Sequence, residues 1–168
     1  NYLSIDKFDC NRIENLFRLS QLHQVKFSFH VPYFINISEM LYMIRRAGVS
    51  YLSRCIELAS DLNATHITLH LGSFYWFPVE AWTRKKAIAR FIKNLETILQ
   101  LCEDKKLFLA LENVVPIPAG SDYYLLGDNL NDFNFVFKTL ESDYLQLCLD
   151  TGHANIAEGV MEYVFHFH

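Results

Sequence analysis

Apolar positions along this chain fall into two patterns. Short, mostly apolar runs occupy 25–29, 67–69, 107–111 and 145–149, of which 107–111 is continuous. Such runs, bounded by turn residues, predict buried strands. Between them, apolar residues return every three or four positions, which predicts amphipathic helices. Ile13, Leu16, Phe17 and Leu22 mark a helix over 9–23; Leu52, Cys55, Ile56 and Ala59 mark one over about 50–62. The longest runs over 80–103, carried by Ile88, Phe91, Ile92, Leu95, Ile98, Leu99 and Cys102. Phe133, Val136, Phe137 and Leu140 make a shorter one. Residues 2–5 read as the end of a first strand and 164–168 as the start of a last one. The stretch 114–129, with Pro116, Pro118, Gly120 and Gly127, reads as a long loop.

Strands that alternate with helices, and that are near-continuously apolar, are the mark of βαβ units and a parallel sheet. The whole chain, 1–168, reads as one domain. Two features point to missing chain. A parallel crossover needs about a dozen residues, and 154–163 is barely that. The sequence also stops inside the expected last strand.

Composition narrows the class. The 168 residues are 51% hydrophobic and 15% aromatic, enough for a globular core. A net charge of -4 argues against a nucleic-acid partner. No apolar run approaches the roughly 20 residues of a membrane span. The four cysteines, Cys10, Cys55, Cys102 and Cys148, are widely spaced in apolar contexts. They read as reduced thiols of a cytoplasmic protein.

The chemistry lies at the strand ends. Successive apolar runs finish in His30, His70, Glu112 and Asp150, with His153 just beyond. His166 and His168 stand in the last expected strand, two residues apart and so on one face. The C-terminal ends of parallel strands are where such sheets place their sites. A carboxylate directly after an apolar run is costly to bury unpaired, so Glu112 should meet a cation or a donor. Imidazoles with carboxylates suit zinc, manganese or cobalt; magnesium and calcium prefer oxygen alone.

The segments Phe29-His30-Val31-Pro32-Tyr33, His70-Leu71-Gly72-Ser73, Leu111-Glu112-Asn113, Asp150-Thr151-Gly152-His153-Ala154-Asn155 and His166-Phe167-His168 resemble, in order, strand-end motifs of the xylose isomerase-like TIM barrels. That superfamily holds sugar isomerases and epimerases and the endonuclease IV apurinic-site nucleases. The resemblance implies a (β/α)8 barrel, of which about strands 1–6 are represented, with a divalent metal at its C-terminal mouth. It implies Glu112, Asp150 and His166 as the shared ligands, with His30, His70 and His153 as further ligands in the nuclease branch. In the epimerases the position of His153 contacts substrate. Leu71 and Gly152 depart from the nuclease pattern, which usually has Pro and Cys there.

The expected activity is therefore a zinc- or manganese-dependent isomerase or epimerase of a sugar or sugar phosphate, with Glu112 and His153 catalytic. The alternatives are an apurinic-site endonuclease, for which DNA is the partner, and a barrel that has lost turnover. Tyr33, Phe74, Trp76, Asn113 and His168 are the expected substrate contacts, and packing into a lid is an equal reading for the aromatic ones. Homo-oligomer formation through exposed helices is a further expectation. The basic stretch Arg84, Lys85, Lys86, Arg90 and Lys93 reads as a solvated helix face.

Overall fold

The computed structural model describes residues 5–75, 81–118, 120–157 and 159–167. Four short strands, β1 (Phe29–His30), β2 (His66–His70), β4 (Phe108–Glu112) and β6 (Leu145–Cys148), form one parallel sheet in the order β1-β2-β4-β6. Helices α1 (Cys10–His23), α2 (Tyr42–Asp61), α3 (Ala81–Lys105) and α4 (Leu130–Thr139) alternate with them. Each strand pairs with the next in sequence across a helix, as βα-barrel units do.

Period-two alternation divides the strands between two faces. Ile67 and Leu69 of β2, and Leu109 and Leu111 of β4, share one buried core with Leu52, Ile56 and Ala59 of α2 and Phe91, Leu95 and Ile98 of α3. The other face carries His66, Thr68 and His70, then Ala110 and Glu112. Register partners in a parallel ladder point the same way, and His70, Glu112 and Cys148 are partners across three strands. The polar residue that ends each apolar run thus falls at one end of the sheet and on the face away from the helices.

Helices α1, α2 and α3 end alike. Gln24, Asn63 and Lys106 each take a left-handed φ, of 53°, 51° and 54°. Each next residue, Val25, Ala64 and Leu107, donates its N–H back to the carbonyl of Ser20, Ala59 and Cys102 at 2.9 Å. This is the Schellman closure, which satisfies the last helical carbonyls and reverses the chain. After α1, α2 and α3 it leads toward β1, β2 and β4.

The segment 114–129 is not wholly a loop. Within it β5 (Tyr123–Leu125) pairs antiparallel with β3 (Ser73–Tyr75), so the connections after β2 and β4 form a two-stranded ribbon. Arg84 on α3 anchors that connection. It donates from Nε to Asp132 Oδ1 at 3.0 Å and from one terminal nitrogen to Asp132 and Asp128 at 2.5 Å each. Burial works to lower the Arg84 pKa, but the two carboxylates outweigh it and hold the guanidinium above its ordinary value.

The expected strand over 164–168 is corrected for 164–167. Residues Val160–Phe167 are helix α6, preceded by the short α5 (Thr151–Ile156). Tyr163 and Phe167 lie edge-on to Phe133 of α4, and Tyr163 is fully buried. Burial of these rings at helical spacing decides the local structure over the period-two pattern of 164–168.

Candidate metal centre

Glu112 is the focus of the site. Its Oε2 lies 2.6 Å from His30 Nε2 and 3.1 Å from His70 Nε2. The two imidazole rings meet edge to face with centroids 4.8 Å apart. A second group, Glu112, Asp150 and His153, shares the same glutamate. In each triad the potential ligand atoms all lie within 4.8 Å of one another.

Backbone carbonyls fix two of the rings. His30 Nδ1 donates to Val31 O at 2.8 Å, and His153 Nδ1 to Asn113 O at 2.8 Å. Each ring therefore keeps Nε2 for a ligand, which is how a metal-binding histidine is oriented. A neutral His30 in that tautomer turns a lone pair toward the Glu112 carboxylate at 2.6 Å. Two lone pairs at that separation repel unless a proton or a cation lies between them. The donor set thus fits a divalent cation held by imidazole nitrogen and carboxylate oxygen. His70 differs, because its Nδ1 is buried with no hydrogen-bond partner among the described residues. Burial lowers the His70 pKa, with His30 and His153 acting the same way, against the pull of Glu112.

Asp150 is placed from two sides. Its Oδ1 accepts from His153 N at 2.8 Å and so caps α5. Its main chain is gripped by Asn113, which accepts from Asp150 N at 2.7 Å and donates to Asp150 O at 2.9 Å. Asn113 is fully buried. Both ends of its amide bond the neighbouring strand end, so it positions Asp150.

Of the expected site residues, His30, His70, Glu112, Asp150 and His153 converge. His166 does not join them in this structure. It sits on α6 with Nε2 against Asn134 Oδ1 and its ring edge-on to Phe167. Tyr33 lies at the cluster, half exposed, its ring 5.0 Å from that of His70. Phe74 is buried and stacked on Tyr124 across the β3–β5 ribbon, so its ring packs the ribbon. Trp76 and His168 lie outside the described residues.

Two contributors escaped the sequence reading. Asn36 donates to Ser73 O at 2.6 Å and accepts from Ser38 N at 3.0 Å and Ser38 Oγ at 2.6 Å, tying the connection after β1 to that after β2. The signal was present as Asn-x-Ser between apolar residues, an Asx-turn pattern. Cys148 stands in register with Glu112, and burial, then the Glu112 charge, pushes its thiol pKa up. Strand alternation from Gln146 would have found it.

The family model of the xylose isomerase-like TIM barrel matches residues 3–166. The chain belongs to this family. Membership in the xylose isomerase-like TIM barrels makes the parallel sheet part of a barrel wall and its ligand-bearing end part of the mouth. The chain is 26% identical over 155 residues to an uncharacterized protein of Methanocaldococcus jannaschii, covering 90% of this chain and 50% of that protein. It is 31% identical over 127 residues to a probable endonuclease 4 of Natranaerobius thermophilus, covering 75% and 41%. Among solved structures, a D-tagatose 3-epimerase-like protein superposes with a TM-score of 0.73 at 24% identity, covering 88% of this chain and 53% of that one. The chain thus spans about half the length of the relatives it matches. No helix among the described residues is long and apolar enough to cross a membrane.

Proposed function

We propose that this chain is part of a divalent-metal-dependent isomerase or epimerase acting on a sugar or sugar phosphate. One observation carries the choice within the family: the connections that follow β1, β2, β4 and β6, spanning 31–41, 71–80, 113–129 and 149–159, contain no Lys or Arg. A nucleic-acid backbone is held by such cations along its path. A mouth built from Tyr33, Ser73 and the imidazoles suits hydroxyl groups, so the part of the substrate these connections hold is uncharged. The epimerase-like structural neighbour supports the same reading.

His30, His70, Glu112 and Asp150 would hold the metal, which supplies polarisation of a carbonyl and its neighbouring hydroxyl. Glu112 is the proton carrier between adjacent carbons, since a carboxylate at the ligand cluster reaches the polarised position. His153, with Nδ1 fixed on Asn113 O, presents Nε2 to a substrate hydroxyl. Tyr33, beside His70, covers one side of the mouth and helps exclude water.

The test is solvent-hydrogen exchange into a panel of ketoses, free and phosphorylated, with manganese, cobalt or zinc. Exchange with at least one sugar is expected, and Glu112→Gln should reduce it by at least about a hundredfold, the lower range for a lost acid–base group. Absence of exchange under every metal counts against the proposal.

A second reading has its own support. One carboxylate shared by two ligand triads is the arrangement that two-metal phosphodiester hydrolysis uses. The endonuclease 4 relative points the same way. Cleavage of an abasic duplex by the metal-loaded protein would establish it, and intact duplex would end it.

A further inference from the structure

Positive charge is absent from the mouth connections and gathers elsewhere. Of the fifteen Lys and Arg residues, Arg45 and Arg46 of α2 and Lys86, Arg90 and Lys93 of α3 line two adjoining cavities, one between α2 and α3 and one between α3 and the connection after β1. The cavities have volumes of about 320 and 260 Å³ and share Arg90. Among their described lining residues the one carboxylate is Glu39, whose Oε1 already accepts from Leu41 N at 3.0 Å.

The arginines are held in place by groups that do not neutralise them. Arg90 donates from Nε to Ser38 O at 2.8 Å. Arg45 donates from one terminal nitrogen to Glu39 O and to Met40 O. A guanidinium carries five N–H donors in a fixed fork, so both side chains are oriented yet retain donors. Their charges also face one another: burial, then the field of Arg45, lowers the Arg90 pKa against the weaker pull of Glu39. Like charges brought together over carbonyl partners are stabilised by an anion between them. Arg46 and Lys93 add two more cations to the same cavity, and Tyr42 closes its edge.

We propose that the α2–α3 groove is a binding site for a small phosphate-bearing ligand, separate from the metal centre. Guanidinium forks and ammonium groups are the side chains that match phosphate oxygens. The volumes suit a small molecule. The site lies on the outer helical layer, so the ligand is an effector or an anchoring group and is not the reacting sugar.

The experiment titrates pyrophosphate into the full chain at constant ionic strength, read by calorimetry and by thermal shift, with sulfate as control. Saturable binding is expected, and the double variant R46Q/K93Q should raise the dissociation constant about tenfold or more, as loss of two charge-assisted contacts implies. Metal binding at the Glu112 cluster should be unchanged in that variant, which also shows that it folds. Saturable binding that the variant leaves unaltered, or no saturable binding at all, overturns the proposal. Sedimentation with phosphatidylglycerol vesicles is the second arm. Vesicle binding without pyrophosphate binding would assign the groove to a lipid surface and equally overturn it.

Discussion

Replacing Asn113 by Ala tests how the candidate metal centre is built. The parallel ladder between β4 and β6 ends at the pair Glu112–Cys148. One step beyond, the Asn113 side chain continues it by bonding both the N–H and the carbonyl of Asp150. The variant leaves two main-chain groups without partners, at roughly 1–3 kcal/mol each when buried. Asp150 is only half-buried, so water recovers part of this, and about 2–4 kcal/mol of lost stability is expected. Asp150 would no longer be held toward Glu112, and loss of such an outer support lowers metal affinity about 10–100-fold. Asn113→Asp should be worse than Ala. It keeps an acceptor for Asp150 N but turns a second acceptor on Asp150 O, and it adds buried charge beside Glu112. Urea unfolding measures the first effect and calorimetric titration with zinc or manganese the second. If Asn113→Ala unfolds within about 0.5 kcal/mol of the parent, the range of an inert surface change, and binds metal equally well, the positioning role is refuted.

Gly72 has φ +113°, and a Cβ there would sit 2.4 Å from Asn36 Oδ1 and 2.5 Å from Ser38 Oγ. Gly72→Ala should therefore cost about 1–3 kcal/mol in backbone strain alone, with more from the clash, seen as a lower unfolding midpoint. Arg84→Met strands Asp132, which is 3% exposed, and should cost about 3–5 kcal/mol; Arg84→Met with Asp132→Leu should recover much of this. Burial pushes the Cys55 thiol up to about 11 and the Cys102 thiol up to about 12, while Cys10 is exposed. At pH 8 a thiol reagent should label Cys10 at once and reach Cys55 and Cys102 only in denaturant. A raised folded pKa means the native state holds protons that the unfolded chain releases. These two thiols should thus cost nothing below about pH 9 and weaken the fold as pH climbs toward 11 and 12.

The sequence carried the alternation of the sheet and its helices because each long element buries one continuous stripe. Helix α3 was readable from Ile88 to Cys102 for that reason. The strand ends were readable too, since His30, His70, Glu112 and Asp150 each break an apolar run. The ribbon of β3 and β5 was not. Three residues on each side are too few to show a period, and their pairing depends on two connections meeting about fifty residues apart. The start of α2 at Tyr42 was missed because Met43 and Ile44 are exposed and blur its apolar stripe. His166 was misplaced because the alternation Phe165-His166-Phe167 reads as a strand, whereas packing of Tyr163 and Phe167 on α4 makes it a helix. The bonds of the Asn113 amide to Asp150 were not legible, because they depend on β4 and β6 lying side by side.

Asp150 Oδ1 caps α5, and under the proposed function the same carboxylate also serves the metal. Helix α5 needs an acceptor at its first position, and Asn serves there as well as Asp. The metal centre needs a negative charge, which Asn lacks. On the proposed function, drift from Asp to Asn at this position would keep the α5 cap while removing a metal ligand. Well-folded barrels of this family with Asn at that point are therefore the place to look for members that have become binders or scaffolds.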